Sequence, residues 1–114
     1  MTAGLKTVIY PVKDLDQAKM LYTTLLGGVE PVMDEPYYVQ FNLADLEVGL
    51  DPHGHSKGMT GPVGYWQVDD IKQTVAQLVG AGAEEQQAVS DLGGRLIATV
   101  RDADGNIIGL IQPA

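Results

Sequence analysis

The sequence has no cysteine, one tryptophan and one phenylalanine, and only seven basic residues against fifteen acidic ones. Without cysteine there is no disulfide and no thiol nucleophile. The only serines, Ser56 and Ser90, fall in expected loops, so a strand-turn-helix nucleophile elbow is excluded as well. No apolar run approaches the roughly 20 residues needed to span a bilayer, and the start lacks the basic residues and apolar stretch of a secretion signal. A cytoplasmic protein without a membrane partner is expected. The formal net charge of -8 repels phosphate backbones, which excludes nucleic acid as a partner. The glycines of "GAG" at 80–82 and "GGR" at 93–95 fit neither phosphate-loop pattern and read as turns and helix stops.

What is present is a repeat. The run "GPVGYWQVDDI" at 61–71 echoes "LKTVIYPVKDL" at 5–15, and an offset of 56 lays Tyr10 on Trp66, Val12 on Val68, Asp14 on Asp70 and Gln17 on Gln73. Twice that offset nearly spans the 114 residues, so the chain reads as one supersecondary unit used twice. Each aspartate, with a glutamine three residues on, forms a helix-starting capping pattern. Leu15, Ala18, Leu21, Tyr22 and Leu25 then recur at helical spacing before Gly27 and Gly28; Ile71, Val75, Leu78 and Val79 do so before Gly80 and Gly82.

After the helices come strand-like segments: "PYYVQFNLA" and "LEVGLDP" in the first copy, "EEQQAVS", "RLIATVRD" and "GNIIGLIQP" in the second. Asp102 to Asn106 reads as a hairpin turn. A calcium loop there is rejected, because its sixth and twelfth positions hold Ile107 and Pro113. The expected fold is α+β: a single domain of two tandem βαβββ modules, 1–52 and 62–114, joined by a linker at 53–61 and curling into a half-open barrel around a cavity.

"VIYPVKDLDQAKMLYTTLLGG", "YWQVDDIKQTVAQLVGAGA" and "VRDADGNIIGLIQP" resemble the vicinal oxygen chelate superfamily, which includes glyoxalase I, bleomycin-resistance proteins and extradiol dioxygenases. In enzymes of that superfamily, the resemblance implies, a metal takes a histidine from each first strand and a carboxylate from each last strand. Here those positions hold Thr7, Val63, Gly49 and Gly109, which do not make a ligand set for a divalent cation. No metal and no cofactor is therefore expected. Gln67 stands where several relatives carry a histidine.

Alternation places Val63, Tyr65 and Gln67 on one strand face, and Glu47, Gly49 and Asp51 likewise. Tyr10 and Trp66 are expected in the core on the opposite face. Glu47, Asp51, Tyr65 and Gln67 are the expected ligand-binding residues, lining an apolar cavity with Ile9, Ile107 and Ile111. The resulting reading is a metal-free binder of a small, partly apolar molecule, its acidic handles favouring a cationic or donor-rich ligand. By resemblance it is a homodimer. The alternative is a glyoxalase-like lyase or isomerase, or a dioxygenase, with a displaced metal site at Asp51, His53 and His55.

Overall fold

Both helices begin where an aspartate can satisfy backbone donors that have no partner inside the helix. In the computed structural model, which describes residues 2–114, Asp14 accepts from the Gln17 N–H at 3.0 Å and Asp70 from the Gln73 N–H at 3.1 Å. The helices that follow are α1 (Leu15–Leu25) and α2 (Ile71–Gly80). A third contact anchors α2: the Ile71 N–H donates to the Gln112 side-chain oxygen at 2.9 Å, tying the helix start to the end of the last strand. Gly27 and Gly28 stop α1 with φ of +75° and +88°, a conformation that a side chain would resist.

The strands are β1 (Thr2–Pro11), β2 (Met33–Glu35), β3 (Tyr38–Leu43), β4 (Leu46–Asp51), β5 (Val63–Val68), β6 (Glu84–Leu92), β7 (Arg95–Arg101) and β8 (Ile107–Gln112). They divide between two compact units, one formed by Thr7–Val63 and the other by Gly64–Ala114 with residues 2–6.

In the first unit the strand order is β2-β3-β4-β1. β4 runs parallel to β1, with Thr7 opposite Glu47 and Ile9 opposite Gly49, and antiparallel to β3. In the second the order is β5-β8-β7-β6, with β8 parallel to β5 and antiparallel to β7. The last strand of each unit thus returns beside its first, and each unit is βαβββ, as the repeat requires. The three-residue β2 was not among the expected strands; "MDE" carries two exposed carboxylates and no alternation to mark it.

Each helix covers one face of its own sheet. In the first unit Val39, Phe41, Val48 and Leu50 are buried against Leu15, Ala18, Tyr22 and Leu26, with Tyr10 and Val12 at the edge. The Tyr10 and Tyr22 rings meet at 5.1 Å, tilted by 45°. Burial, followed by the neighbouring Tyr10, raises the Tyr22 hydroxyl above its ordinary pKa. In the second unit Val68, Ile71, Val75, Ala98, Val100 and Leu110 form the core.

Three expectations fail here. Leu21 and Leu25 are largely exposed, because Leu15, Ala18, Tyr22 and Leu26 form the stripe that meets the sheet. Val79 is exposed at the far flank of α2. Trp66 is 41% exposed, whereas its counterpart Tyr10 packs on the core. Tyr10 is covered by the Tyr22 ring of α1, and the offset of 56 puts Leu78 at the matching position of α2. Among the described residues no helix is long and apolar enough to cross a membrane.

Residues 2–6 belong with the second unit. The Thr2 hydroxyl donates to the Gln67 carbonyl at 2.8 Å, and the Leu5 side chain lies 2.9 Å from where a Cβ on Gly64 would stand.

Candidate functional site

With one face of each sheet under a helix, the other face presents the alternate residues. In the first unit this helix-free face carries Thr7 and Ile9 from β1, Glu47, Gly49 and Asp51 from β4, and Tyr38 and Gln40 from β3. Glu47 and Asp51, two of the four expected ligand residues, are therefore on one face, as alternation requires. Both are engaged at home. Glu47 accepts from the buried Thr7 hydroxyl at 2.8 Å. Asp51 is 4% exposed; one carboxylate oxygen accepts from the His53 backbone N–H and the other from the Lys57 ammonium, each at 2.8 Å. A buried carboxylate needs such partners, since desolvation would otherwise outweigh any gain from ionisation.

These contacts give the 51–59 segment a fold of its own. It closes through Gly54 N–H to the Asp51 carbonyl, makes a single 3-10 turn over His55–Lys57 and buries Met59. Both histidine side chains are exposed, and Asp51 spends its oxygens on His53 N–H and Lys57 instead of either imidazole. Among the described residues no three histidine, aspartate or glutamate side chains gather in a way that would hold a metal.

The two last-strand positions where the resemblance implies metal-binding carboxylates hold glycine, and in both a tyrosine fills the space. At Gly49 the Tyr38 hydroxyl stands where a Cβ would be. At Gly109 the Tyr65 ring, from the directly opposed position on β5, lies 2.6 Å from where a Cβ would be. Thr7 uses its one oxygen on Glu47, and Val63 has none. This donor set does not fit a divalent cation.

In the second unit the helix-free face is a small grid. Tyr65, Gly109 and Thr99 lie in one row across β5, β8 and β7; Gln67, Ile111 and Ile97 lie in the next; Ile107 and Arg101 lie on the other side. Tyr65 and Gln67, the other two expected ligand residues, share this face with Ile107 and Ile111, as expected. Tyr65 and Ile111 are buried, Gln67 and Ile107 half-buried. Thr99, buried at 2% exposure, donates its hydroxyl to Gln86 across a bulge in β6.

Arg101 adds a polar group that sequence reasoning did not single out. Its Nε is buried and has no hydrogen-bond partner among the described residues. The signal was present in "RLIATVR", where Ile97, Thr99 and Arg101 must share a face because Leu96, Ala98 and Val100 are core.

No protein-family model matches the sequence, and no curated protein matches it. Solved structures do match in fold. An NAD-dependent benzaldehyde dehydrogenase from Legionella pneumophila is 17% identical with a TM-score of 0.75, over 95% of this chain and 98% of that one. A glyoxalase/bleomycin resistance protein/dioxygenase superfamily member from Vibrio splendidus 12B01 is 19% identical, TM-score 0.69, over the same shares. Methylmalonyl-CoA epimerase from Streptomyces coelicolor, in complex with 2-nitronate-propionyl-CoA, is 15% identical, TM-score 0.73, over 100% and 99%. Two βαβββ units, each returning its last strand beside its first, give this chain the α+β fold of the vicinal oxygen chelate proteins.

Proposed function

We propose that the chain is a metal-free small-molecule-binding protein of the glyoxalase/bleomycin-resistance/dioxygenase superfamily, and that its ligand rests on the helix-free face of the second unit. The observation that carries this reading is the pair of glycine-tyrosine contacts, Gly49 with Tyr38 and Gly109 with Tyr65. They put aromatic bulk where a metal enzyme of this fold needs carboxylate oxygens. Tyr65, Ile107 and Ile111 make the face chiefly apolar, with Gln67 as a polar handle, the composition of a site for a small, partly apolar molecule. Glu47 and Asp51 act differently in this reading: bound to Thr7 and Lys57, they hold their own strands and loop. A neighbour of the same fold whose structure contains a small acyl-CoA analogue supports the assignment.

The test uses protein purified without chelator. Elemental analysis should find no stoichiometric zinc, nickel, manganese or iron, and the thermal unfolding midpoint should not move with EDTA. Titration with benzamide and hexanamide, neutral and partly apolar, should perturb the Tyr65 and Ile111 NMR signals, and Tyr65→Ala should weaken that binding. One tightly held divalent ion per chain, or amide probes that leave Tyr65 and Ile111 untouched, would overturn the reading.

A further inference from the structure

We propose that the groove between α2 and β6, on the helix side of the second unit, is a second binding site, and that it takes a small zwitterion whose carboxylate and ammonium groups are separated by an apolar chain. The groove lies on the opposite side of the sheet from Tyr65 and Ile111, and the proposal does not depend on the reading given for that face.

Helix α2 runs antiparallel to the edge strand β6. Its start is tied to β8 by the bond from Ile71 to Gln112, and Gln112 stands opposite Leu96 on β7, which stands opposite Asp91 on β6. The first turn of α2 is therefore at the Asp91 end of β6 and its last turn at the Glu84 end, where Ala83 packs against the core. Lys72, Val75, Ala76 and Val79 recur at spacings of three and four residues, so they form one flank of the helix. Glu85, opposite the buried Val100, and Val89, packed against the core, meet this flank from β6. Together these residues line an open groove of about 480 Å³, within the roughly 300–1,000 Å³ usual for small-molecule sites.

The flank is built from short side chains: Val75 is buried, Ala76 adds a single methyl group, and Val79 is 45% exposed. The offset of 56 puts Lys19 of α1 at the place of Val75, and in the first unit that lysine reaches Asp34 on β2, the strand that follows α1. In the second unit valine leaves the matching place open. Charge then selects the occupant. Lys72 is in the first turn of α2, toward Val89, and Glu85 lies toward Val79 in the last turn, so the groove carries a cation at one end, an anion at the other and apolar side chains between. Neither charge forms an ion pair among the described residues. The apolar stretch covers about 10 Å of helix from Lys72 to Val79 and roughly 13 Å of strand from Glu85 to Val89. An anionic or cationic amphiphile would meet only one of the two charges, whereas a zwitterion of that length meets both. A second copy of the chain is a poorer occupant, because the net charge of -8 opposes self-association.

The experiment titrates ω-aminooctanoate, octanoate and octylamine into the full chain at about 0.15 M salt, where net charge is screened, and follows the methyl NMR signals of Ala76, Val79 and Val89. The zwitterion should shift all three signals and bind at least about threefold more tightly than either single-headed ligand, a gain within reach of a solvent-exposed ion pair. Lys72→Glu and Glu85→Lys should each remove that gain. The exchange Lys72→Glu/Glu85→Lys should restore it, since the zwitterion can turn end for end, and a structural role of the two charges would give no such rescue. Ala76→Trp, at an exposed helix position, fills the groove and should abolish binding of all three ligands, with circular dichroism confirming that every variant folds. Equal affinity for the three ligands, or an exchange variant as weak as the single ones, overturns the zwitterion site. So does binding of the zwitterion that shifts Tyr65 and Ile111 and leaves Val79 and Val89 unmoved, which would belong to the helix-free face. A concentration-dependent dimer in sedimentation, with Val79 and Val89 signals changing on dilution, overturns it in favour of a second copy of the chain.

Discussion

Glycine in the middle of a strand weakens it by about 0.5–1 kcal/mol relative to alanine, yet Gly49 and Gly109 occupy buried central positions of β4 and β8. The Tyr65 ring is what Gly109 gains: an aromatic from the neighbouring strand lies over the bare backbone and restores the burial a side chain would have given. Gly109→Ala places a methyl group into that ring with no backbone strain to share the cost. It should destabilise the protein by about 1–3 kcal/mol, the usual range for overpacking, measured by urea unfolding. In Gly109→Ala/Tyr65→Ala the clash is gone, so the double variant should be more stable than the two single losses predict by more than about 0.5 kcal/mol. A neutral Gly109→Ala would show that the ring is not held there. That Thr7, Gly49, Val63 and Gly109 make no ligand set for a divalent cation could be read from the letters alone. What stands in their place could not, since Tyr38 and Tyr65 reach their glycines across strands and nothing in local pattern links them. Arg101 shows the same limit: alternation gives its face, but only packing reveals that its Nε is enclosed without a partner.

Among the elements, the two helix starts were the most legible, because capping is local chemistry within four residues and Asp14 and Asp70 perform it as written. The 51–59 segment was the least. Its glycine, proline and histidine content reads as a plain linker, whereas the buried Asp51 organises it from a strand end. The β7–β8 turn lies between these cases. Its residues announced a hairpin, and the structure shows Asp102 as the residue that ties it. Hydrogen bonds from the Asn106 side chain, then from the Asn106 backbone and, opposed by slight desolvation, from the Asp104 backbone hold the Asp102 carboxyl below its ordinary pKa. A carboxyl that binds its proton less readily in the folded chain stabilises the fold above its unfolded value of about 3.9. That contribution disappears as pH falls through the lowered folded value. The stability difference between the wild-type protein and Asp102→Asn should therefore be constant near neutral pH and change only in acid, with an NMR titration of the Asp102 carboxyl showing the lowered midpoint. A difference that stays constant down to the acid limit would mean that ionisation of Asp102 plays no part in the turn.

At the scale of the whole chain, the offset of 56 that aligned the two halves of the sequence corresponds to two units with the same strand plan, β1 beside β4 and β5 beside β8. A repeat carries this much because topology depends on where apolar alternation and breaks fall, and both were duplicated. The ring that covers Tyr10 was not duplicated: Tyr22 has Leu78 at the matching position of α2, and Trp66 departs from Tyr10. The remaining whole-molecule property is charge. Fifteen acidic and seven basic residues leave a formal net charge of -8, and folding gathers those charges into a smaller volume. Solvated salt bridges oppose this only weakly: Lys19 is half-buried but its partner Asp34 is exposed, and the Lys57 side chain that meets Asp51 is 47% exposed. At an ionic strength of about 0.01 M the screening length is roughly 30 Å, long enough for charges across the molecule to repel, and at about 0.15 M it falls to roughly 8 Å. Screening therefore removes more repulsion from the folded chain than attraction from solvated pairs of this kind, and the thermal unfolding midpoint should rise as sodium chloride is added over this range. Choline chloride should give the same rise, since the effect depends on ionic strength and not on a bound cation. A midpoint that falls with salt would show that specific ion pairs outweigh the net charge, and a rise with sodium alone would point to a cation site instead of screening.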